Sequence, residues 1–244
     1  MTEPESAVSF RGVSKSFAGR KVLDQVSFEI PAGESLCVMG RSGTGKSVTL
    51  RLMIGLILPD QGVISIDNQN IVGMDEDGLS TVRRKVGFLF QSAALFDSFT
   101  LNDNLALPLM RFRTQSKKEI DAIVQRGLEA VGLGDARYKM PAELSGGMRK
   151  RAGLARALVL EPSILLVDEP SSGLDRITTS EIDELLLASR GKTTMVMVTH
   201  DIREARRVGD RVAVLDKGRL LAIGPVRDLE KHENQLVRSL VSEG

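Results

Sequence analysis

Three places in this sequence combine residue types that could handle phosphate. The first is Gly40-Arg-Ser-Gly-Thr-Gly-Lys-Ser47, which fits the spacing G-x-x-x-x-G-K-[ST]. Small residues so spaced let successive backbone N–H groups converge on phosphate oxygens, helped by the positive end of a following helix. Lys46 would reach the β- and γ-phosphates, and the Ser47 hydroxyl would bind Mg²⁺. A Gly-rich turn with an accidental lysine would match all four positions in about one such chain in a hundred at average glycine usage, so chance is the weaker explanation. The second place is Ile164-Leu-Leu-Val-Asp168-Glu169. A carboxylate at the tip of an apolar strand is costly unless a cation or hydrogen bonds compensate it, so Asp168 reads as a metal-side ligand acting through water. Glu169, one residue on, is suited to polarise an attacking water. The third is Thr199-His200, a neutral hydrogen-bonding group at the end of another apolar run, able to contact a γ-phosphate.

The elements that must position these groups alternate in the manner of a parallel α/β sheet. Ser35-Leu-Cys-Val-Met, Ile164-Leu-Leu-Val, Met195-Val-Met-Val and Val212-Ala-Val-Leu are short apolar runs separated by helix-like stretches, and the first three end in the residues just named. A helical run over Ser47 to Leu58 follows the first. Before it, Val8-Ser-Phe-Arg-Gly-Val, Phe17-Ala-Gly-Arg and Val22 to Ile30 read as an antiparallel start. A helical insert spans roughly Phe99 to Met140: Ser116-Lys-Lys-Glu is a capping box, and Ile120, Ile123, Val124, Leu128 and Val131 fall at helical spacing as core. Ser145-Gly146-Gly147 opens a further helix through Arg149 and Lys150 toward Leu158, giving a second helix N-terminus with N–H groups for an anion. The bases Arg149, Lys150, Arg151 and Arg156 read mostly as a solvated face of that helix, and Asp228 to Gly244 as a solvated helix.

Composition bounds the partners. Lys+Arg 33 against Asp+Glu 32 leaves a net charge of +1, which provides no global field for DNA, RNA or an anionic bilayer. Aromatics at 4% with no Trp exclude a stacking platform for single-stranded nucleic acid. One cysteine, Cys37, and two histidines, His200 and His232, leave no Cys/His set for zinc, so a metal would have oxygen ligands. No apolar run reaches the roughly 18 residues that span a bilayer, and the acidic opening Met1-Thr-Glu-Pro-Glu-Ser lacks the basic start of a signal peptide, so a cytoplasmic location is expected. No repeat or linker divides the chain, which reads as one unit over residues 1–244 with a helical subdomain at about 92–160.

Leu144-Ser-Gly-Gly-Met148, taken with the phosphate loop and Asp168-Glu169, resembles the signature of ATP-binding cassette (ABC) ATPases, from about Ala7 to Gly224. The resemblance implies a P-loop NTPase of ABC type: an α/β fold with a parallel core sheet, an N-terminal antiparallel β subdomain and a helical signature subdomain. It implies ATP and Mg²⁺ as ligands. Contacts to the nucleotide fall to Phe17, the family's adenine-stacking aromatic, to Gly40, Ser42, Gly43, Thr44, Gly45, Lys46, Ser47 and Val48, to Ser145, Gly146 and Gly147, and to Asp175 of the D-loop stretch Ser172-Gly-Leu-Asp175. Metal contacts fall to Ser47, Gln91 and Asp168, and catalytic roles to Glu169, His200, Lys46 and the Q-loop glutamine Gln91. The signature of one subunit faces the phosphate loop of another in the family, so a homodimer sandwiching two ATP molecules is implied.

The chain departs from the commonest pattern at Met148, where Gln is usual, and at Gly173, where Ala is common. Leu144-Ser-Gly-Gly-Met-Arg-Lys-Arg-Ala, Phe90-Gln-Ser-Ala-Ala-Leu-Phe-Asp-Ser and Asn104-Leu-Ala-Leu-Pro-Leu look like the ATPase subunits of Mla/Mce-type lipid transport systems. That implies two transmembrane permease subunits, an MCE-domain lipid-binding protein, no nucleic acid, and a peripheral place on the inner face of the cell membrane. An ATPase of an amino-acid or metal importer, or of lipoprotein release, is the alternative within transport. A non-transport ABC machine acting on nucleic acid, which would carry two cassettes, zinc modules or coiled coils, and a P-loop kinase or GTPase, which would not need Leu144-Ser-Gly-Gly, stand further off.

Overall fold

A computed structural model describes residues 6–112 and 116–242. The acidic opening at 1–5 and the last two residues of the C-terminal stretch lie outside the described residues. The chain runs β1 (Ser6–Phe17), β2 (Arg20–Pro31), β3 (Ser35–Gly40), α1 (Lys46–Met53), β4 (Gln61–Ile66), β5 (Gln69–Asn70), α2 (Glu76–Arg84), β6 (Val86–Leu89), α3 (Leu101–Phe112), α4 (Lys117–Ala130) and α5 (Gly146–Leu158). It continues through β7 (Ile164–Asp168), α6 (Arg176–Leu187), β8 (Thr194–Val198), α7 (Ile202–Val208), β9 (Arg211–Asp216), β10 (Arg219–Gly224), α8 (Val226–Leu229) and α9 (Gln235–Val241). Two compact units result, one from Met1–Arg83 with Ser189–Gly244, the other from Arg84–Ala188.

In the first unit β1 and β2 form the expected antiparallel hairpin, closed by Ala18 (φ +47°) and Gly19 (φ +79°), a pair of left-handed residues suited to the twist of the flanking strands. β4 extends it on the other edge, pairing Val8 with Ile66, and β5 follows. The second sheet of this unit is parallel where it matters: β3 lies between β8 and β9, with Val38 opposite both Val198 and Ala213. All six residues of β3 are buried, as an apolar run flanked on both faces should be.

Helix α1 ends at Met53, short of the expected Leu58. The stop is a Schellman motif: Gly55 takes φ +61°, its N–H donates to Leu52 O at 3.1 Å, and the Leu56 N–H donates to Arg51 O at 3.0 Å. The C-terminal stretch is likewise two short helices rather than one solvated helix, with Leu229, Val237 and Val241 buried.

The second unit pairs β6 with β7 in parallel, Val86 opposite Ile164, and carries the helical insert. Leu101, Leu105 and Leu109 of α3 meet Val124 and Leu128 of α4 and Ala152 and Ala155 of α5 in one buried cluster, with Ile120 and Ile123 packed at its margin. The capping box forms as read: Ser116 Oγ accepts from Glu119 N, and Glu119 returns the contact to Ser116 N at 2.7 Å. Asn104, fully buried on α3, fastens the loop before it. Its Nδ2 donates to the carbonyls of Phe96, Phe99 and Thr100 at 3.0–3.1 Å, and its Oδ1 accepts from Phe96 N at 2.8 Å.

Candidate functional site

The first unit holds the phosphate loop and the histidine. β3 ends at Gly40, where a Cβ would sit 2.2 Å from Leu215 O and 2.9 Å from Thr44 Oγ1, so the close packing of the next strand demands glycine. Gly43 (φ +77°) and Gly45 (φ +100°) turn the main chain into α1, which begins at Gly45 with no side-chain cap. Thr44 Oγ1 braces the turn by donating to Arg41 O at 2.9 Å. Lys46 is buried, and its Nζ donates to Gly40 O at 2.9 Å and Arg41 O at 3.0 Å, which keeps the ammonium inside the loop. N–H groups at an uncapped helix start plus a cation held among carbonyls is a cradle for an anion.

Beside this loop lies a cleft of about 370 Å³ lined by Arg41, Ser42, Gly43 and Thr44, by Arg20, Lys21 and Val22 from the hairpin, and by Asp216, Lys217 and Gly218. Its four cations outnumber its one carboxylate, a field that favours a polyanion. Phe17, which is 44% exposed, pairs in register with Arg20 at the rim, and Lys15 Nζ stands 5.4 Å from the centre of its ring.

Parallel register brings His200 to this edge. Val38 faces Val198, so the two residues that follow each, Met39-Gly40 and Thr199-His200, run level. His200 is exposed, while Thr199 beneath it is buried. Thr199 Oγ1 donates to the buried carboxylate of Glu204 on α7 and accepts from Asp201 N at 3.0 Å. Asp201 in turn caps α7 through Arg203 N at 2.8 Å. Glu204, and its pairing with Thr199, is not among the residues the sequence singles out; the signal is an acid four residues past His200, beside the buried Ala205 and Val208.

The second unit gathers Gln91, Asp168, Glu169 and the signature. Asp168 is buried at the end of β7, and Glu169 follows in the left-handed region at φ +44°. Because β6 pairs with β7 up to Leu89 and Val167, Gln91 emerges beside Glu169, and its Nε2 donates to Glu169 Oε2 at 3.3 Å and to Ser172 Oγ at 3.4 Å. Both are longer than the usual N–H···O range of about 2.7–3.2 Å.

Helix α5 starts at Ser145, whose Oγ accepts from Met148 N at 3.2 Å. A Cβ on Gly147 would lie 2.3 Å from Thr178 Cγ2, whereas one on Gly146 would stand 3.6 Å from Leu174 Cδ2. Met148 packs at the margin of the insert's core, which accounts for an apolar residue there. Asp175 is the N-cap of α6, accepting from Ile177 N at 2.9 Å, Thr178 N at 3.0 Å and Thr178 Oγ1 at 2.8 Å. Those donors, Thr178 foremost, hold its carboxyl below the usual range. The cap and the signature therefore meet at Thr178.

Of the basic residues of α5, Arg149 is exposed as a solvated face requires, but Lys150, Arg151 and Arg156 are turned at least partly inward. Lys150 is buried, and its Nζ donates to Glu169 O at 2.8 Å. Arg149 Nη1 donates to Leu144 O at 2.6 Å, Arg151 Nη1 to Val131 O at 3.0 Å, and Arg156 to the carbonyls of Ala93 and Ala94 at 3.0 and 2.8 Å. Backbone carbonyls of the surrounding loops hold Lys150, Arg151 and Arg156 inward, a demand invisible to helical periodicity.

Residues 23–172 match the model of the ABC transporter family. The chain belongs to that family. Among ABC proteins it is 42% identical over 238 residues to the probable ribonucleotide transport ATP-binding protein mkl of Mycobacterium leprae (strain TN), covering 97% of this chain and 69% of that one. It is 39% identical over 236 residues to the intermembrane phospholipid transport system ATP-binding protein MlaF of Escherichia coli (strain K12), covering 96% and 88% respectively. The dimeric ATP-binding cassette MJ0796, solved in a post-hydrolysis state with ADP and Pi, superposes with a TM-score of 0.84 at 33% identity, covering 89% of this chain and 98% of that one. The chain is thus an ATP-binding, ATP-hydrolysing ABC subunit, and the expected fold is the observed one. Among the described residues of this ABC subunit, no helix is long and apolar enough to cross a membrane.

Proposed function

We propose that this chain is the nucleotide-binding subunit of a transporter that moves phospholipid or another lipid, of the Mla/Mce type. The likeness to MlaF over most of both chains supports the cargo class. The name of mkl supports a second reading, with a ribonucleotide as cargo. In the lipid reading the subunit works as a homodimer with two ATP molecules sandwiched between phosphate loop and signature, beneath two permease subunits and an MCE-domain lipid-binding protein, on the inner face of the cell membrane.

The observation that carries the chemistry is the glycine-built loop at 40–47 with Lys46 held inside it. In this reading the loop's N–H groups and Lys46 bind the β- and γ-phosphates, and Phe17 stacks on the base. Ser145, Gly146 and Gly147 meet the γ-phosphate of the opposite site. Glu169 orients the attacking water and takes its proton as the bond from water oxygen to Pγ forms and the bond to the bridging oxygen breaks. His200 donates to the γ-phosphate, and Gln91 links Glu169 to the ligand.

Mg²⁺ fits the donor set: Ser47 hydroxyl, Gln91 amide and the buried carboxylate of Asp168 are hard oxygens, and this ion is usually held by one or two carboxylates together with substrate phosphates. When bound, it neutralises charge on the phosphate oxygens. Phosphoryl transfer depends on positioning and charge, so Glu169→Gln is expected to bind ATP as the wild type does while turnover falls by roughly two orders of magnitude or more. Steady-state hydrolysis and the ATP-dependent mass of the variant check both halves; wild-type turnover, or a monomer at saturating ATP, would count against the roles assigned. Lipid that copurifies with the assembled complex, set against bound ribonucleotide, decides the cargo.

A further inference from the structure

We propose that Lys150 is a positioning residue for Glu169, through which the signature helix fixes the main chain that carries the catalytic carboxylate. The inference rests on the role given to Glu169 above. Lys150 sits on α5, three residues after Gly147, with its side chain buried. Burial strips an ammonium of water, so a lysine here is costly unless its hydrogen bonds repay it, and an apolar residue would serve helix packing alone. Its Nζ ends 2.8 Å from Glu169 O.

That carbonyl belongs to a residue that needs holding. Glu169 takes φ +44°, a conformation that residues with a Cβ resist, immediately after the buried Asp168. The Ser172 N–H also donates to the same oxygen, at 3.3 Å, and Gln91 Nε2 donates to the carboxylate, likewise at 3.3 Å. The shortest of these three contacts therefore comes from the helix whose first residues form the signature. One rigid element thus bears on two active sites in the proposed dimer: its N-terminus meets the nucleotide held by the partner, and Lys150 holds the carboxylate of its own chain.

Lys150→Met removes the donor and keeps the unbranched apolar stem of the side chain. Its kcat is expected to fall roughly tenfold to a hundredfold, the scale of a small displacement of a catalytic group, with KM and ATP affinity within about twofold of wild type. In the Glu169→Gln background the same change should leave the residual turnover unaltered, because there is no carboxylate left to misplace. Lys150→Arg, which still reaches the carbonyl, should recover much of the rate. Lys150→Gln, whose amide falls one atom short, is the second variant and should behave as Lys150→Met does. Full kcat in either folded variant, or an equal loss in the wild-type and Glu169→Gln backgrounds, overturns the proposal. If Glu169→Gln itself turns over at the wild-type rate, the reading of Glu169 fails first; if Glu169→Gln is inactive and Lys150→Met is not, only the positioning role fails.

Discussion

Helix α1 starts at Gly45, whose φ of +100° strains any residue with a Cβ, and no side chain caps it; helix α5 starts at Ser145, in an extended conformation, with its hydroxyl on Met148 N. The glycines differ in the same way. Gly40, Gly43 and Gly45 are set by the main chain, all three having positive φ. Gly146 and Gly147 are helical, and only the second is crowded, by Thr178. One cradle is built from backbone and left open, while the other is capped by its own serine and shaped by packing against α6. Glycine-rich anion sites thus arise by two physical routes, and substitution should tell them apart.

The largest effect is expected at Gly45→Ala, where strain and contact coincide: the new Cβ would meet Leu23 Cδ2 at 2.7 Å and Val22 O at 2.9 Å. A destabilisation of about 3 kcal/mol is expected with loss of ATP binding, read by denaturant titration and calorimetry. Binding within tenfold of wild type would show that the loop is not fixed by its backbone. Gly147→Ala should cost about 1–3 kcal/mol through overpacking, and Thr178→Ser, which deletes the clashing methyl but keeps the hydroxyl on Asp175, should restore most of it. No recovery in the double variant would remove packing as the cause. Gly146→Ala has room and serves as the control.

Ser145→Ala should lower stability by about 1 kcal/mol, the worth of an N-cap, a loss with no counterpart at α1. The smallest effect is acid sensitivity at Asp175. Its carboxyl is lowered in the folded state by hydrogen bonds from Thr178, so its contribution is present above the ordinary carboxylate range and fades as pH falls through the lowered value. Asp175→Asn should therefore flatten the acid limb of stability against pH; an unchanged limb would place the titration elsewhere.

Much of this was legible beforehand because it is local. The strand ends carrying Gly40, Asp168 and His200 follow from short apolar runs, and Ser116 announces its helix by a capping box that forms. The end of α1 was legible too, since Gly55 stands where the Schellman turn needs it, yet the apolar residues up to Leu58 masked the signal. Lys150 and Arg156 were not legible. Their charges predict exposure, and only the tertiary placement of the Glu169, Ala93 and Ala94 carbonyls explains why they turn inward. Nor did periodicity reveal the Thr199–Glu204 pair, because a buried acid and its hydroxyl partner lie on different elements.

Asn104 has a consequence for association. Phe96 and Phe99 are 48% and 37% exposed with ring centres 5.6 Å apart, yet the main chain bearing them is tied at three carbonyls and one N–H to a side chain with no solvent exposure. The loop's disorder has been removed before any partner arrives. A protein that seated on those rings would meet main chain already held by Asn104 and would forfeit less conformational entropy on docking.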